Sequence, residues 1–208
     1  MKNQVFYIHG GDSFSDRTDF LSYLQQSTLH DPKGEGSMKW PKSLREILGV
    51  DFEVFTPEMP SKQNAHYDEW KIWFEKHFEY LNDGVVLIGW SLGGMFLLKY
   101  LSEETLPFSV KNLLIVASPA GDYEIEAEPG NDCKTFQFSC GDLNVIQGNI
   151  ANITIYHSKD DFVVPYAHAL KLKEALPEAE LVTFEDRNHF LQEEFPELIE
   201  KIKQIAGE

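Results

Sequence analysis

The stretch VVLIGWSLGGMFLLKYL, Val85 to Leu101, opens as an apolar run rich in branched residues and closes in a helical pattern. One hydroxyl, Ser91, stands between the two, with Gly89 and Gly93 two residues to either side. Val85 to Ile88 is apolar throughout instead of alternating, as in a strand covered on both faces. Gly94 to Leu101 reads as a helix. So abrupt a turn strains the backbone of its central residue, and side chains two positions away would strike strand or helix. The G-x-S-x-G spacing is therefore a steric demand: a nucleophile elbow that lifts a serine oxygen above the end of a sheet. There, at a helix N-terminus, backbone N–H groups favour developing negative charge. The pentapeptide alone also fits a phosphate-binding turn or a plain connection, but the elbow demands a strand before and a helix after, and both are present.

Outward from this corner, five more apolar runs read as strands: Val5–His9, Phe52–Phe55, Leu113–Ala117, Ile153–His157 and Leu181–Phe184. Helical patterns fall between them. Trp70, Trp73, Phe74, His77, Phe78 and Leu81 follow i, i+3, i+4, i+7, i+8 spacing. Ala167–Leu176 ends at Pro177, and Leu198, Ile199, Ile202 and Ile205 form a last stripe with Pro196 near its start. Leu21, Leu24 and Leu44, Ile47, Leu48 suggest shorter helices before the second strand. Alternating strands and helices predict a mainly parallel sheet of about six strands with helices on both faces. The chain of 208 residues is expected to form a single domain over residues 1–208. Residues 118–148 lack periodicity and are a candidate lid or insertion.

Lys and Arg number 18 against 34 Asp and Glu, a net charge of −16. Phosphate contacts need cations, so nucleic acid and anionic membrane are not expected partners. No segment reaches the eighteen or so apolar residues of a membrane span, and the N-terminus shows no signal-peptide pattern, so the expected location is cytoplasmic. Cys133 and Cys140 are too few for a disulfide scaffold and are read as free thiols, a local bridge between them being the alternative.

A serine hydroxyl needs a base, and the base an orienting acid. In the elbow fold the chain order is Ser, then Asp or Glu, then His. HSKDDFVVP, after the fifth strand, offers Asp160 and Asp161; the D-x-x-V-P spacing favours Asp161 and leaves Asp160 as a solvated or turn-capping carboxylate. FEDRNHF, after the sixth, offers His189. His168 falls inside a helical pattern, His66 and His77 in or beside the aromatic helix, and His157 at the end of a strand, so packing or surface roles are expected of them. For a tetrahedral oxyanion, Leu92 N–H follows the nucleophile, and the second donor should come from YIHGGDS, with Gly11 preferred and Asp12 next. His9 is expected to shape that loop. Trp90, Phe14 and Phe162 are candidates to line an apolar acyl pocket, core packing being the equal alternative. No H-x-x-x-H, C-x-x-C, G-x-G-x-x-G or P-loop pattern is present, so no metal and no cofactor are implied.

IHGGDS, PEMP (Pro57–Pro60), YDEWKIWFEK, IGWSLGG, SKDDFVVP and NHFLQEEFPEL together resemble the α/β-hydrolase superfamily. More narrowly they resemble the small serine hydrolases related to retinoblastoma-binding protein nine. The resemblance implies a compact fold with no large cap, esterase-type activity, and a triad of Ser91, Asp161 and His189. Asn188 stands where glycine is often found in such proteins. The expected function is hydrolysis of small-molecule esters or related acyl substrates through an acyl-enzyme. The alternatives are a catalytically weak scaffold that binds a protein partner, and an acyltransferase or thioesterase using the same residues.

Overall fold

The computed structural model describes residues 2–28, 40–121, 130–150 and 152–207. Strands β1 (Asn3–Ile8), β2 (Phe52–Phe55), β3 (Val85–Trp90), β4 (Val110–Val116), β5 (Ile153–Ser158) and β6 (Glu180–Phe184) form one parallel sheet in the order β2-β1-β3-β4-β5-β6. Parallel neighbours require crossovers, which carry α1 (Arg17–Gln26), α2 (Trp40–Leu48), α3 (Tyr67–Glu75), α4 (Leu92–Glu103), α5 (Asn144–Asn149) and α6 (Ala167–Ala175); α7 (Pro196–Gly207) follows the last strand. The chain leaves β1 toward β2 on one side and returns to place β3 on the other. This reversal opens a crevice at the carboxyl ends of β1 and β3. The register pairs Ile8 with Gly89 and Trp90 with Val116, so the loop after β1 and the corner after β3 meet at that crevice.

Alternate side chains of each strand enter two cores. Phe6, Ile8, Leu87, Ile115 and Ile155 pack under Trp70, Phe74, Phe96 and Leu172 of α3, α4 and α6. Val5, Tyr7, Val86, Ile88, Val116 and Tyr156 pack under Trp40 and Leu44 of α2 and Leu198 and Ile202 of α7. Both faces are therefore covered, which is why the strand runs carry no polar alternation. Each fully buried Leu, Ile or Phe contributes about 1.5–3 kcal/mol.

Three helices differ from the sequence reading. The aromatic stripe does not continue as one helix to Leu81: α3 stops at Glu75 and the chain tightens into a 3₁₀ turn, Phe78–Tyr80, where Lys76 N–H bonds the carbonyls of both Ile72 and Phe74. Trp73 consequently faces solvent. Helix α4 begins at Leu92, directly after Ser91 and earlier than Gly94. Helix α1 is present, but it buries no residue and leaves Leu21 and Leu24 exposed.

Of the 118–148 segment, residues 122–129 lie outside the described residues. From Gly130 on, the segment forms 3₁₀ turns at Lys134–Phe136 and Cys140–Leu143 and then α5. Phe136, Leu143 and Ile146 are sealed in the core beside α3 and α4. This part is a packed wall. It shows no periodicity because single-turn helices are too short to express one. Cys133 and Cys140 are buried, separate thiols, and burial pushes Cys133 up to about 12. Among the described residues no helix is long and apolar enough to cross a membrane.

Candidate active site

The corner between β3 and α4 has the strain its sequence implies. Ser91 sits at φ 54°, ψ −123°, which a non-glycine residue rarely adopts. Its N–H extends the sheet to Val116 O (2.8 Å), and its carbonyl takes the first bonds of α4, from Gly94 N (2.9 Å) and Met95 N (3.2 Å). A Cβ on Gly93 would lie 2.3 Å from Ile8 O and 2.6 Å from His9 O, and one on Gly89 2.6 Å from Gly93 O. The second glycine thus makes room for the neighbouring strand β1 as well as for the turn itself.

Asp161 and His189 meet. Asp161 Oδ2 lies 2.8 Å from His189 Nδ1, and Oδ1 lies 3.1 Å from the same nitrogen. A carboxylate only accepts, so Nδ1 is the donor of this bond, which in the neutral ring leaves Nε2 as the acceptor. Asp161 is aimed by its own loop: Oδ1 accepts the N–H groups of Val163 and Val164, both at 2.9 Å. Its side chain is fully buried. His189 is tied to the corner through Trp90, whose Nε1–H donates to His189 O (3.1 Å) and whose ring lies 5.5 Å from the imidazole. His189 is flanked by Asn188 (φ 48°) and Phe190 (φ 55°). Asn tolerates that left-handed conformation, which accounts for its place where glycine is common. Phe190 is held in it by burial against Phe184 and Phe195 and by Trp40 Nε1–H donating to Phe190 O (3.0 Å).

Among the described residues, two other histidines are sealed within the fold. His157 is fully buried; its Nε2–H donates to Val164 O (2.8 Å), so it braces the loop that aims Asp161, 3.6 Å from Oδ2. Burial holds it below the usual histidine range. His168 lies in α6, fully buried, and its Nδ1 accepts Ala120 N–H at 3.0 Å; burial pushes it down to about 4. His77 bonds Trp73 O, and His66 precedes α3.

On the facing side, the loop after β1 lies against the serine: a Cβ on Gly10 would be 3.0 Å from Ser91 Cβ and 3.4 Å from Oγ. Asp12 N–H is committed to Lys62 O (2.9 Å), which removes it as an oxyanion donor. Gly11 N–H and Leu92 N–H have no protein acceptor among the described residues. His9 has the shaping role expected of it. Its Nδ1–H bonds Gly10 O (2.6 Å), and its Nε2 accepts Met59 N–H (2.8 Å). Trp70, fully buried, donates Nε1–H to Pro60 O (2.8 Å) and lies edge-on to His9. The PEMP segment and the tryptophan helix therefore fasten the glycine loop, a role their sequence did not disclose. Asn131 adds a brace, accepting Ser13 N–H and donating to Asp12 Oδ1, each at 3.0 Å.

The three pocket candidates separate. Phe14 is buried, packed on Phe20 and Tyr23, and serves as an anchor for α1. Trp90 is half-buried against the imidazole, and Phe162, beside Asp161, is 69% exposed. Among the described residues no cluster of His, Cys, Asp and Glu could hold a metal ion.

A family model described as serine hydrolase matches residues 29–204. The chain belongs to the serine hydrolase family. It is 27% identical over 164 residues to serine hydrolase RBBP9 of Rattus norvegicus, covering 79% of this chain and 82% of that protein. Among solved structures, the ydeN gene product of B. subtilis aligns over the whole of both chains with a TM-score of 0.75 and 18% identity. Serine hydrolase CCSP0084 from Cycloclasticus zankles aligns over all of this chain and 88% of its own, with a TM-score of 0.62 and 14% identity. Such distant structural likenesses establish the fold, that of an α/β-hydrolase, with no large cap among the described residues.

Proposed function

We propose that this serine hydrolase cleaves carboxylic esters or related acyl compounds through a Ser91–His189–Asp161 triad and an acyl-enzyme. The observation that carries the reading is the 2.8 Å bond from His189 Nδ1–H to the sealed carboxylate of Asp161. It fixes the tautomer whose Nε2 can take a proton. Ser91 Oγ attacks the acyl carbon and its proton passes to His189 Nε2. Asp161 steadies the imidazolium and remains a carboxylate. The oxyanion accepts the N–H groups of Leu92 and Gly11. The leaving alkoxide takes the proton from Nε2, and water then repeats the sequence on the acyl-enzyme, with His189 as base. Trp90 and Phe162 supply apolar surface for the acyl or leaving group.

The test is incubation with a fluorophosphonate followed by intact-mass measurement. One adduct on the wild-type chain, absent from Ser91→Ala, is the expected result; no adduct on well-folded protein overturns the reading. Turnover of p-nitrophenyl esters of graded chain length then reports the acyl preference, and acyl transfer to an added alcohol or thiol in preference to water would replace hydrolysis by a transferase.

A further inference from the structure

Beyond its ends, the β5–β6 ladder is continued by side chains. The last register pair is Ser158 with Phe184, followed by Lys159 N–H to Phe184 O at 2.8 Å. From there the chain after β6 turns away to form the histidine loop, and strand pairing can no longer hold it. Two side chains take over. Ser158, fully buried, accepts Arg187 N–H on its Oγ (2.9 Å) and donates its own proton to Asp160 Oδ1 (2.5 Å). The same Oδ1 accepts Asn188 N–H at 2.8 Å. Asp160 and Ser158 thus grip the two residues that immediately precede His189, while the adjacent Asp161 grips its imidazole. Asp160 is exposed, yet its hydrogen bonds draw it below the usual carboxylate range, so it remains an ionised acceptor at neutral pH.

We infer that Asp160, with Ser158, is a positioning residue for the reaction: it fixes the backbone that presents His189 to Ser91. The inference rests on the triad reading. It differs from a simple turn cap, because both bonds at Oδ1 tie the acid loop to the base loop across 28 residues of sequence or to the serine that does so. A misplacement of about 1 Å in a catalytic group can cost about 100-fold in rate.

The experiment compares wild type, Asp160→Ala and Asp160→Asn by ester turnover, rate of fluorophosphonate labelling and thermal unfolding. Asp160→Ala is expected to lower kcat and the labelling rate by about 10- to 100-fold, with KM changed less than about threefold and the folded state retained. Asp160→Asn keeps an oxygen that accepts both bonds and is expected to restore most of the rate. Equal labelling of wild type and Asp160→Ala overturns the inference while leaving the triad intact. Equal loss in Asp160→Ala and Asp160→Asn also overturns it, by assigning the effect to charge. Failure of wild type itself to label removes the triad reading underneath.

Discussion

The serine side and the histidine side of the crevice are held by different physics. Ser91 is placed by local covalent geometry: a strained φ of 54°, two glycines whose missing side chains admit the turn, and the helix that starts one residue later. His189 sits on a loop whose local support is a single turn, closed by Phe190 N–H to Arg187 O at 2.9 Å. Its place depends on Asp161, Asp160 and Ser158 from the end of β5, on Trp90 from β3 and on Trp40 from α2. A backbone corner is rigid and tolerates no added atom. A loop hung on side-chain hydrogen bonds tolerates substitutions singly, each at a graded cost.

The sharpest break of this contrast is Ser91→Ala, expected to lower ester turnover by about 10⁴-fold or more without altering the melting temperature downward, since it removes only a hydroxyl from the corner. Gly93→Ala attacks the corner itself: a methyl 2.3 Å from Ile8 O forces β1 and α4 apart. It is expected to cost about 3 kcal/mol or more of stability, read as a shifted urea midpoint or loss of soluble protein. Asp160→Ala, on the other side, should spare the fold and lower the rate, and the two variants together separate the two kinds of support.

Acid should loosen the packing between α6 and the chain after β4. Burial holds His168 at about 4 in the folded chain against 6.5 for an unperturbed imidazole, so the unfolded chain binds the proton more readily. The stabilisation is complete above about 6.5 and is lost as pH falls toward 4, amounting to about 3 kcal/mol at most. His168→Asn, which keeps an acceptor for Ala120 N–H, is expected to flatten the urea-unfolding free energy between these limits; an unchanged slope would remove His168 from the account. The smallest effect is expected where the two sides touch. Trp90→Phe keeps the ring near His189 but deletes the bond to its carbonyl, and should lower kcat by about 3- to 10-fold, the worth of one ordinary hydrogen bond. A change as large as that of Asp160→Ala would mean that the corner, more than the β5 loop, positions the imidazole.

The sequence was most informative where structure is local. The apolar runs, the helix following Ser91 and the D-x-x-V-P step into α6 each express a short-range rule, and each lies close to where it was expected. Helix ends, the 3₁₀ turn after α3 and the packing of residues 130–149 depended on neighbours that a periodicity does not name. Phe14 shows the same limit from the other direction: an aromatic beside the glycine loop looks like pocket lining until α1 is seen to cover it.

By itself, the order of residues determined the strained corner, the parallel sheet with helices on both faces, and which serine, aspartate and histidine stand at strand ends. Those follow from sterics and hydrophobic spacing within a dozen residues. Only the tertiary structure decided that Asp161 reaches the imidazole, that Asp160 and Ser158 grip its loop, and that His9, Met59 and Trp70 fasten the glycine loop opposite. Those contacts join residues ten or more positions apart in the chain, and hydrogen-bond geometry at 2.8–3.1 Å exists only once the fold has brought them together.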